Sequence, residues 1–143
     1  MTPKFSFITP VYNTPADALT ECIASVQDQW FEDWELCLVN DGSTTEHIAR
    51  ILDQASRDDP RIRVHHREKN GGIVAASNDA LGLARGEFVV LLDHDDTIEP
   101  DTLHLIDDAL QSDDLIDLVY SDADKLDPEG HRLHPFIKPD ACQ

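Results

Sequence analysis

Apolar positions along the chain switch between a period of two and a period near 3.6. Lys4 to Thr9 reads KFSFIT, with Phe5 and Phe7 alternating against Ile8, which predicts a short strand. Beyond the loop Pro10-Val11-Tyr12-Asn13, Thr14 stands before Pro15 as an N-cap followed by proline at the first helical position. Leu19, Cys22, Ile23, Val26 and Trp30 then recur at helical spacing, so a helix with one apolar face should run to about Gln29. Trp34 to Val39 predicts a second strand, ending in Asn40-Asp41-Gly42-Ser43. Ser43 or Thr44 can cap a second helix carrying Ile48, Ile51, Leu52 and Ala55, which Asp58-Asp59-Pro60 breaks. Ile62 to His66 is a third, shorter strand, and Ile73 to Ala84 a third helix with Val74, Asn78 and Leu81 on one side.

The most abrupt change of character lies in Glu87 to Pro100, EFVVLLDHDDTIEP. Phe88 to Leu92 is an unbroken apolar run, which fits a strand buried on both faces inside a parallel sheet. It ends in Asp93, His94, Asp95 and Asp96. Carboxylates crowded in this way repel one another unless a cation joins them. Pro100 and Asp101 open a fourth helix bearing Leu103, Ile106 and Leu110. Asp117 to Ser121 reads as a fifth strand, followed by Asp122-Ala123-Asp124-Lys125 and a turn at Asp127-Pro128-Glu129-Gly130. His131 to Gln143 shows no clear periodicity. Strands and helices alternating through short connections predict an α/β fold, a doubly wound and mostly parallel sheet with flanking helices, in one domain over 1–143.

Charge narrows the chemistry. The formal net charge of −18 excludes a nucleic-acid surface, which needs clustered Lys and Arg. The same charge would repel a diphosphate, so binding one would call for a bridging divalent ion. Mg²⁺ or Mn²⁺, hard ions that take carboxylate oxygens and share substrate phosphates, fit Asp93-His94-Asp95 read as a D-x-D site. Cys22, Cys37 and Cys142 show no C-x-x-C spacing, and two of them fall in core segments, so reduced, buried thiols are expected rather than zinc. No apolar run is long enough to span a bilayer and no signal-peptide pattern opens the chain, so a cytoplasmic protein is expected.

Three polar clusters follow predicted strands: Asn40 to Ser43, Asp93 to Asp96 and Ser121 to Asp124. In a doubly wound sheet those ends share one edge, where ligands bind. Asp41 before Gly42 suits a local turn as well as a ligand, and a solvated turn is the simpler account of Asp122 and Asp124. Asn70-Gly71-Gly72 opens a helix and can present backbone N–H groups to an anion, or can be a flexible turn. It lacks the pattern of a dinucleotide loop or a P-loop. Carboxylates around His94 favour its protonated form, which suits a spacer better than a base.

Taken together, Phe7 to Asn13, Val39 to Ser43, Asn70-Gly71-Gly72 with Asn78, and Leu92 to Asp96 resemble, in order, the motifs of family 2 glycosyltransferases with the GT-A fold. Tyr120 to Lys125 with Pro135 to Asp140 further resembles the O-antigen and rhamnan-type bacterial branch. The resemblance implies binding of a nucleoside-diphosphate sugar and inverting transfer to a glycan or lipid-linked acceptor. Pro10, Val11, Tyr12 and Asp41 would hold base and ribose, with Asn13, Gly42, Asn70, Gly71, Gly72 and His94 around the donor. Asp93 would contact ribose or metal and Asp95 the ion bridging the phosphates. The general base of this family usually lies well beyond the D-x-D motif, and Asp122 is the sole downstream candidate.

A fragment ending before the acceptor half is therefore expected, working at the inner face of the membrane and completed by a further domain or partner chain. Two alternatives stand beside this reading. One is a nucleotide-sugar-binding module without turnover. The other is a haloacid dehalogenase-type phosphatase, with Asp93 as nucleophile and Asp95 as acid–base partner. That family sets this strand near the chain start, whereas three βα units precede it here.

Overall fold

The structure, a computed structural model, describes residues 2–139. Four parallel strands form the main sheet: β1 Phe5–Val11, β2 Trp34–Asn40, β3 Ile62–His66 and β4 Phe88–Leu91, in the order β3-β2-β1-β4. Between them run α1 Ala16–Gln27, α2 Glu46–Asp58 and α3 Ile73–Leu83. The order explains the layering. The first two crossovers step one way along the sheet, and the third returns past both strands to the far side of β1. Right-handed connections then put α3 on the face opposite α1 and α2. Ala76 and Ala80 of α3 pack on Ile8, Cys37 and Val39, while α1 packs against α2 and α2 on β2 and β3. The expected α/β, doubly wound architecture is present.

The chain forms two compact units, one through Leu105 and one from Ile106. Helix α4, Thr102–Ser112, spans that boundary. In the second unit β5 Ala123–Leu126 pairs antiparallel with β6 Arg132–Phe136. The fifth strand predicted over Asp117 to Ser121 is not formed, despite the β-prone side chains there. The residues after it, Ala123 to Leu126, make the first arm of a hairpin instead. The Asp127 carboxylate accepts the N–H groups of Glu129 and His131 and so closes the expected turn. Asp140 and Cys142 lie outside the described residues.

The core is built on β1 and β2. Phe5, Phe7, Val11, Leu36 and Leu38 are fully enclosed, and Trp34 lies beneath the Arg61 guanidinium, 3.7 Å from the ring centre. Cys22 and Cys37 are free, buried thiols as expected, and burial is the main cause that pushes them up to about 12 and about 11.

Three packing expectations need correction. β4 is an edge strand of this sheet, with Val89 44% and Leu91 80% exposed, not a strand buried on both faces. They share the sheet face of their β1 partners Ser6 and Ile8, but α3 covers only the β1–β2 side of it. On α3 the buried side is Ala76 and Ala80, leaving Val74, Asn78 and Leu81 exposed, because small side chains let the helix sit close to the strands. Trp30 likewise projects outward rather than joining the apolar face of α1.

Glu35, near the N-terminal end of β2, is a fully enclosed charged side chain. It accepts hydrogen bonds from Ser6 Oγ at 2.7 Å and from Arg85 Nη2 at 2.9 Å, besides the Arg85 backbone N–H. Burial alone would raise its carboxyl, but the Ser6 and Arg85 bonds outweigh burial and hold it below its ordinary 4.5. The folded state therefore binds fewer protons here than the unfolded state. This contribution is complete above the ordinary value and is lost as pH falls through the lower folded value. Glu35→Gln should cost about 2 kcal/mol near pH 7, and its Tm deficit against the parent chain should shrink as pH falls from 7 towards 3. Thermal melts across that range check both statements; a deficit independent of pH would contradict them.

Candidate functional site

Because β1 to β4 are parallel, their C-terminal ends lie along one rim of the sheet, and each predicted motif of the first unit leaves from that rim. The crevice of a doubly wound sheet opens where consecutive connections diverge to opposite faces. In the order β3-β2-β1-β4 that point lies between β1 and β4. Val11-Tyr12-Asn13 forms one lip and Asp93 to Asp96 the other.

On the β1 side, Val11 is buried and Tyr12 is 44% exposed. Asn13 has a left-handed backbone, φ 49°, which lets its side chain act as a staple. Its Oδ1 accepts the Thr44 N–H at 2.9 Å, and its own N–H donates to Ser43 Oγ at 3.1 Å. The Asp41 N–H donates to the Val11 carbonyl at 2.9 Å. Thus Pro10 to Asn13 and Asn40 to Thr44 form one bonded rim. The hydroxyls expected to cap α2 are used otherwise: neither Ser43 nor Thr44 caps it, and Thr45 occupies the cap position without a side-chain bond.

Asp41 is enclosed, with its side chain 4% exposed. Its two oxygens accept the Gly71 and Gly72 N–H groups at 2.9 and 2.8 Å, and Arg67 Nε lies 3.0 Å from Oδ1. Asn70 Nδ2 donates to the Asp41 carbonyl at 3.2 Å. Those glycine N–H groups, which could have faced an incoming anion or belonged to a flexible turn, are held by an anion of the chain itself. Gly42 permits the close approach. Its φ is +66°, and a Cβ there would come within 2.7 Å of the Asn70 nitrogen, so only glycine fits. Arg67, which also pairs with Asp79, was not singled out from the sequence. The available signal was a lone arginine immediately after a strand in a strongly acidic chain.

On the β4 side, Asp93, Asp95 and Asp96 are exposed, and His94 is half-buried. His94 Nδ1 lies 2.9 Å from Thr14 Oγ1 and 3.8 Å from Asp95 Oδ1. Thr14, expected as the cap of α1, is buried with its hydroxyl turned to His94, while Pro15 takes the cap position. Partial desolvation, then the charges of Asp93 and Asp95, push the Asp96 carboxyl up, against a smaller opposing pull from His94. The cluster is thus strained by like charge and open to solvent.

No three His, Cys, Asp or Glu side chains are grouped to hold a metal among the described residues. The donors that are present, exposed carboxylates carrying excess negative charge, are of the kind a hard divalent ion takes when a phosphate and water fill its other positions. In that limited sense the residues fit Mg²⁺ or Mn²⁺.

The third cluster belongs to the second unit. Asp122 Oδ1 accepts the Lys138 N–H at 2.8 Å, and Asp124 pairs with Arg132 at 3.2 Å. It does not follow a parallel strand, so of the three clusters expected at strand ends two, those after β2 and β4, leave from the parallel sheet. Within the described residues no helix is long and apolar enough to cross a membrane.

Residues 6–139 match the sequence model of Glycosyl transferase family 2. The chain is 41% identical over 138 residues to the O-antigen biosynthesis protein RfbC of Myxococcus xanthus, which covers 96% of this chain and 11% of that protein. It resembles the crystal structure of S. aureus TarS 1-349 in complex with UDP-GlcNAc, with a TM-score of 0.68 and 34% identity over 76% of this chain and 31% of that one. The mannosyltransferase PcManGT from Pyrobaculum calidifontis, in complex with GDP-Man and Mn²⁺, gives 0.63 at 26% identity over 72% and 31% of the two chains. The chain therefore spans only a small part of the length of these relatives. The β1–β4 sheet is that of GT-A glycosyltransferases, and three βα units ahead of the aspartates displace the phosphatase reading. This chain belongs to glycosyl transferase family 2.

Proposed function

We propose that this chain is the donor-binding part of an inverting glycosyltransferase, taking a nucleoside-diphosphate sugar into the crevice between the ends of β1 and β4. The observation that carries the reading is the placement of the Asp93-His94-Asp95 carboxylates at the point where the sheet reverses its winding, opposite Tyr12 and Asn13. Complexes of TarS with UDP-GlcNAc and of PcManGT with GDP-Man and Mn²⁺ support the ligand class.

Pro10, Val11, Tyr12 and Asn13 form the wall for base and ribose. Asp41 holds Gly71 and Gly72, and through them Asn70, beside that wall; Gly42 lets the two loops touch. A carboxylate has about four acceptor sites, so Asp41 also retains capacity for a ribose hydroxyl. Asp93 and Asp95 would hold Mg²⁺ or Mn²⁺ with the diphosphate, and His94, bonded to Thr14, ties the segment between them to the start of α1. When bound, the ion neutralises charge that builds on the departing nucleoside diphosphate. In the transfer the bond from the anomeric carbon to the diphosphate breaks as an acceptor oxygen bonds to that carbon from the opposite face. The acceptor's proton passes to a general base.

Asp122 is engaged by Lys138 within its own unit, and we assign the base instead to a further domain or partner chain that completes the acceptor side. The uncovered face of β4, Val89 and Leu91, supports such a completion. We place the work at the cytoplasmic face of the membrane, where a glycan or lipid-linked acceptor would be met.

A thermal-shift panel of UDP, GDP and TDP with and without Mn²⁺ tests the reading. One nucleotide at about ten times its Kd should raise Tm by several degrees, the equivalent of about 1.4 kcal/mol, and only with Mn²⁺ present. Shifts that are absent, or equal with Mn²⁺ alone, would contradict it. Donor binding without hydrolysis or transfer by the isolated chain would favour the binding module that needs a partner.

A further inference from the structure

The loop from Asp93 to Asp101 contains five acidic residues in nine and must nevertheless hold one shape. It has few bonds of its own, among them Asp96 N–H to the Asp93 carbonyl at 3.2 Å. Several further ties run to the α1 segment. Thr14 Oγ1 meets His94 Nδ1 at 2.9 Å, and Cys22 Sγ donates to the Asp93 carbonyl at 3.4 Å. Ser25 Oγ accepts the Ile98 N–H at 3.3 Å. Just past the helix, Gln29 Nε2 donates to the Glu99 carbonyl at 2.7 Å, Gln29 Oε1 accepts the Leu103 N–H at 3.0 Å, and the Trp30 N–H donates to the Pro100 carbonyl at 2.9 Å.

Cys22, Ser25 and Gln29 stand three and four residues apart, so they form one stripe of the helical segment. Gln29 is 5% exposed and its amide is fully used, since Nε2 also donates to the Ser25 carbonyl at 3.1 Å.

We infer that Gln29 is a positioning residue for the D-x-D loop: with Ser25 it fixes the downstream half of the acidic loop to α1, so that Asp93 and Asp95 stay together against their mutual repulsion. The inference rests on the donor-binding reading for its consequence, but not for its geometry. A buried amide that bonds two backbone groups four residues apart cannot be replaced by an apolar side chain without releasing both. Once released, the carboxylates spread, and the site must be gathered again when ligand binds.

The test compares the parent chain with Gln29→Leu, Gln29→Glu, Ser25→Ala and, as a control distant from the loop, the core substitution Leu52→Ala in α2. Amide hydrogen exchange needs no ligand. Gln29→Leu should speed exchange at Ile98 and Leu103 by about tenfold or more while the β1 and β2 amides keep their rates. Calorimetry of Mn²⁺ with UDP and with GDP, at a temperature where every variant is folded, should show binding weakened about tenfold in Gln29→Leu. Gln29→Glu keeps the acceptor for Leu103 but faces the Glu99 carbonyl with a carboxylate oxygen, and should fall between; Ser25→Ala should lose about threefold. Leu52→Ala should lower Tm and leave affinity within about twofold.

Unchanged loop exchange in Gln29→Leu would overturn the inference. So would a loss of affinity in Leu52→Ala as large as that in Gln29→Leu, which would reveal a general effect of stability. If the parent chain binds neither nucleotide, the exchange result still decides the positioning role, and the failure belongs to the donor-binding reading.

Discussion

Asp95→Ala is expected to abolish measurable Mn²⁺-dependent binding of a nucleoside diphosphate while leaving the fold intact. Asp95 is 59% exposed at its side chain, and its nearest ring nitrogen, His94 Nδ1, lies 3.8 Å away. Removing an exposed side chain of this kind changes stability by about 0.5 kcal/mol or less. Here the change should be slightly favourable, because one of three clustered like charges is gone. The effect on the ligand is of another order. Loss of an outer partner of a metal ligand already costs 10–100-fold, so loss of a ligand itself should exceed about 100-fold, or about 2.7 kcal/mol. Calorimetric titration of nucleoside diphosphate with Mn²⁺ measures the affinity and a thermal melt the fold. Unchanged affinity would remove Asp95 from the site.

Asp41→Ala should fail in both respects. The side chain, itself 4% exposed, satisfies two part-buried backbone N–H groups and lies against Arg67. Its removal orphans the Gly71 and Gly72 donors and leaves Arg67 with Asp79 alone from its present ion pairs. A destabilisation of about 3–5 kcal/mol is expected, enough to lower Tm by about 10 °C. Asp41→Asn, which keeps an acceptor oxygen but no charge, should lie between. Donor affinity should fall in parallel, since the Asn70-Gly71-Gly72 turn would no longer be held beside the β1 rim. A variant as stable as the parent would show that the turn needs no anion, and the reading of this network would have to be abandoned.

These two aspartates also show how much the sequence could reveal. An exposed cluster after an apolar strand announces itself, because charge at a strand end has no packing explanation. Asp41 was visible as a residue, but its buried role was not. Only the fold brings the loops after β2 and β3 close enough for Asp41 to take the amides that seemed open to a phosphate. The strand and helix alternation was legible because β1, β2 and the α1 and α2 faces follow simple periods.

Where large apolar side chains misled, shape was the reason. Val74 and Leu81 outweigh Ala76 and Ala80 in any hydrophobic pattern, yet the alanines are what allow α3 to approach Ile8 and Val39. The Phe88 to Leu91 strand carries apolar residues on both faces, yet as an edge strand it leaves Val89 and Leu91 exposed. The β5–β6 hairpin is exposed along both strands and is closed by Asp127 at the turn, a signal that hydrophobic periodicity does not carry.

Gln29 belongs to a further class. A polar residue at the end of an apolar helix face reads as a boundary, and nothing local indicates that it bonds a loop some seventy positions later. The same holds for Thr14, whose position before proline suits a cap so well that its bond to His94 could not be foreseen.

The most direct measurement is paramagnetic broadening in amide-resolved NMR spectra, with substoichiometric Mn²⁺ added in the presence of UDP or GDP. The account predicts that the signals of Asp93 to Asp96 and of Tyr12 and Asn13 vanish first, while those of α2 and β3 persist. Broadening scattered over the many acidic surface residues, or centred on any other cluster, would contradict it.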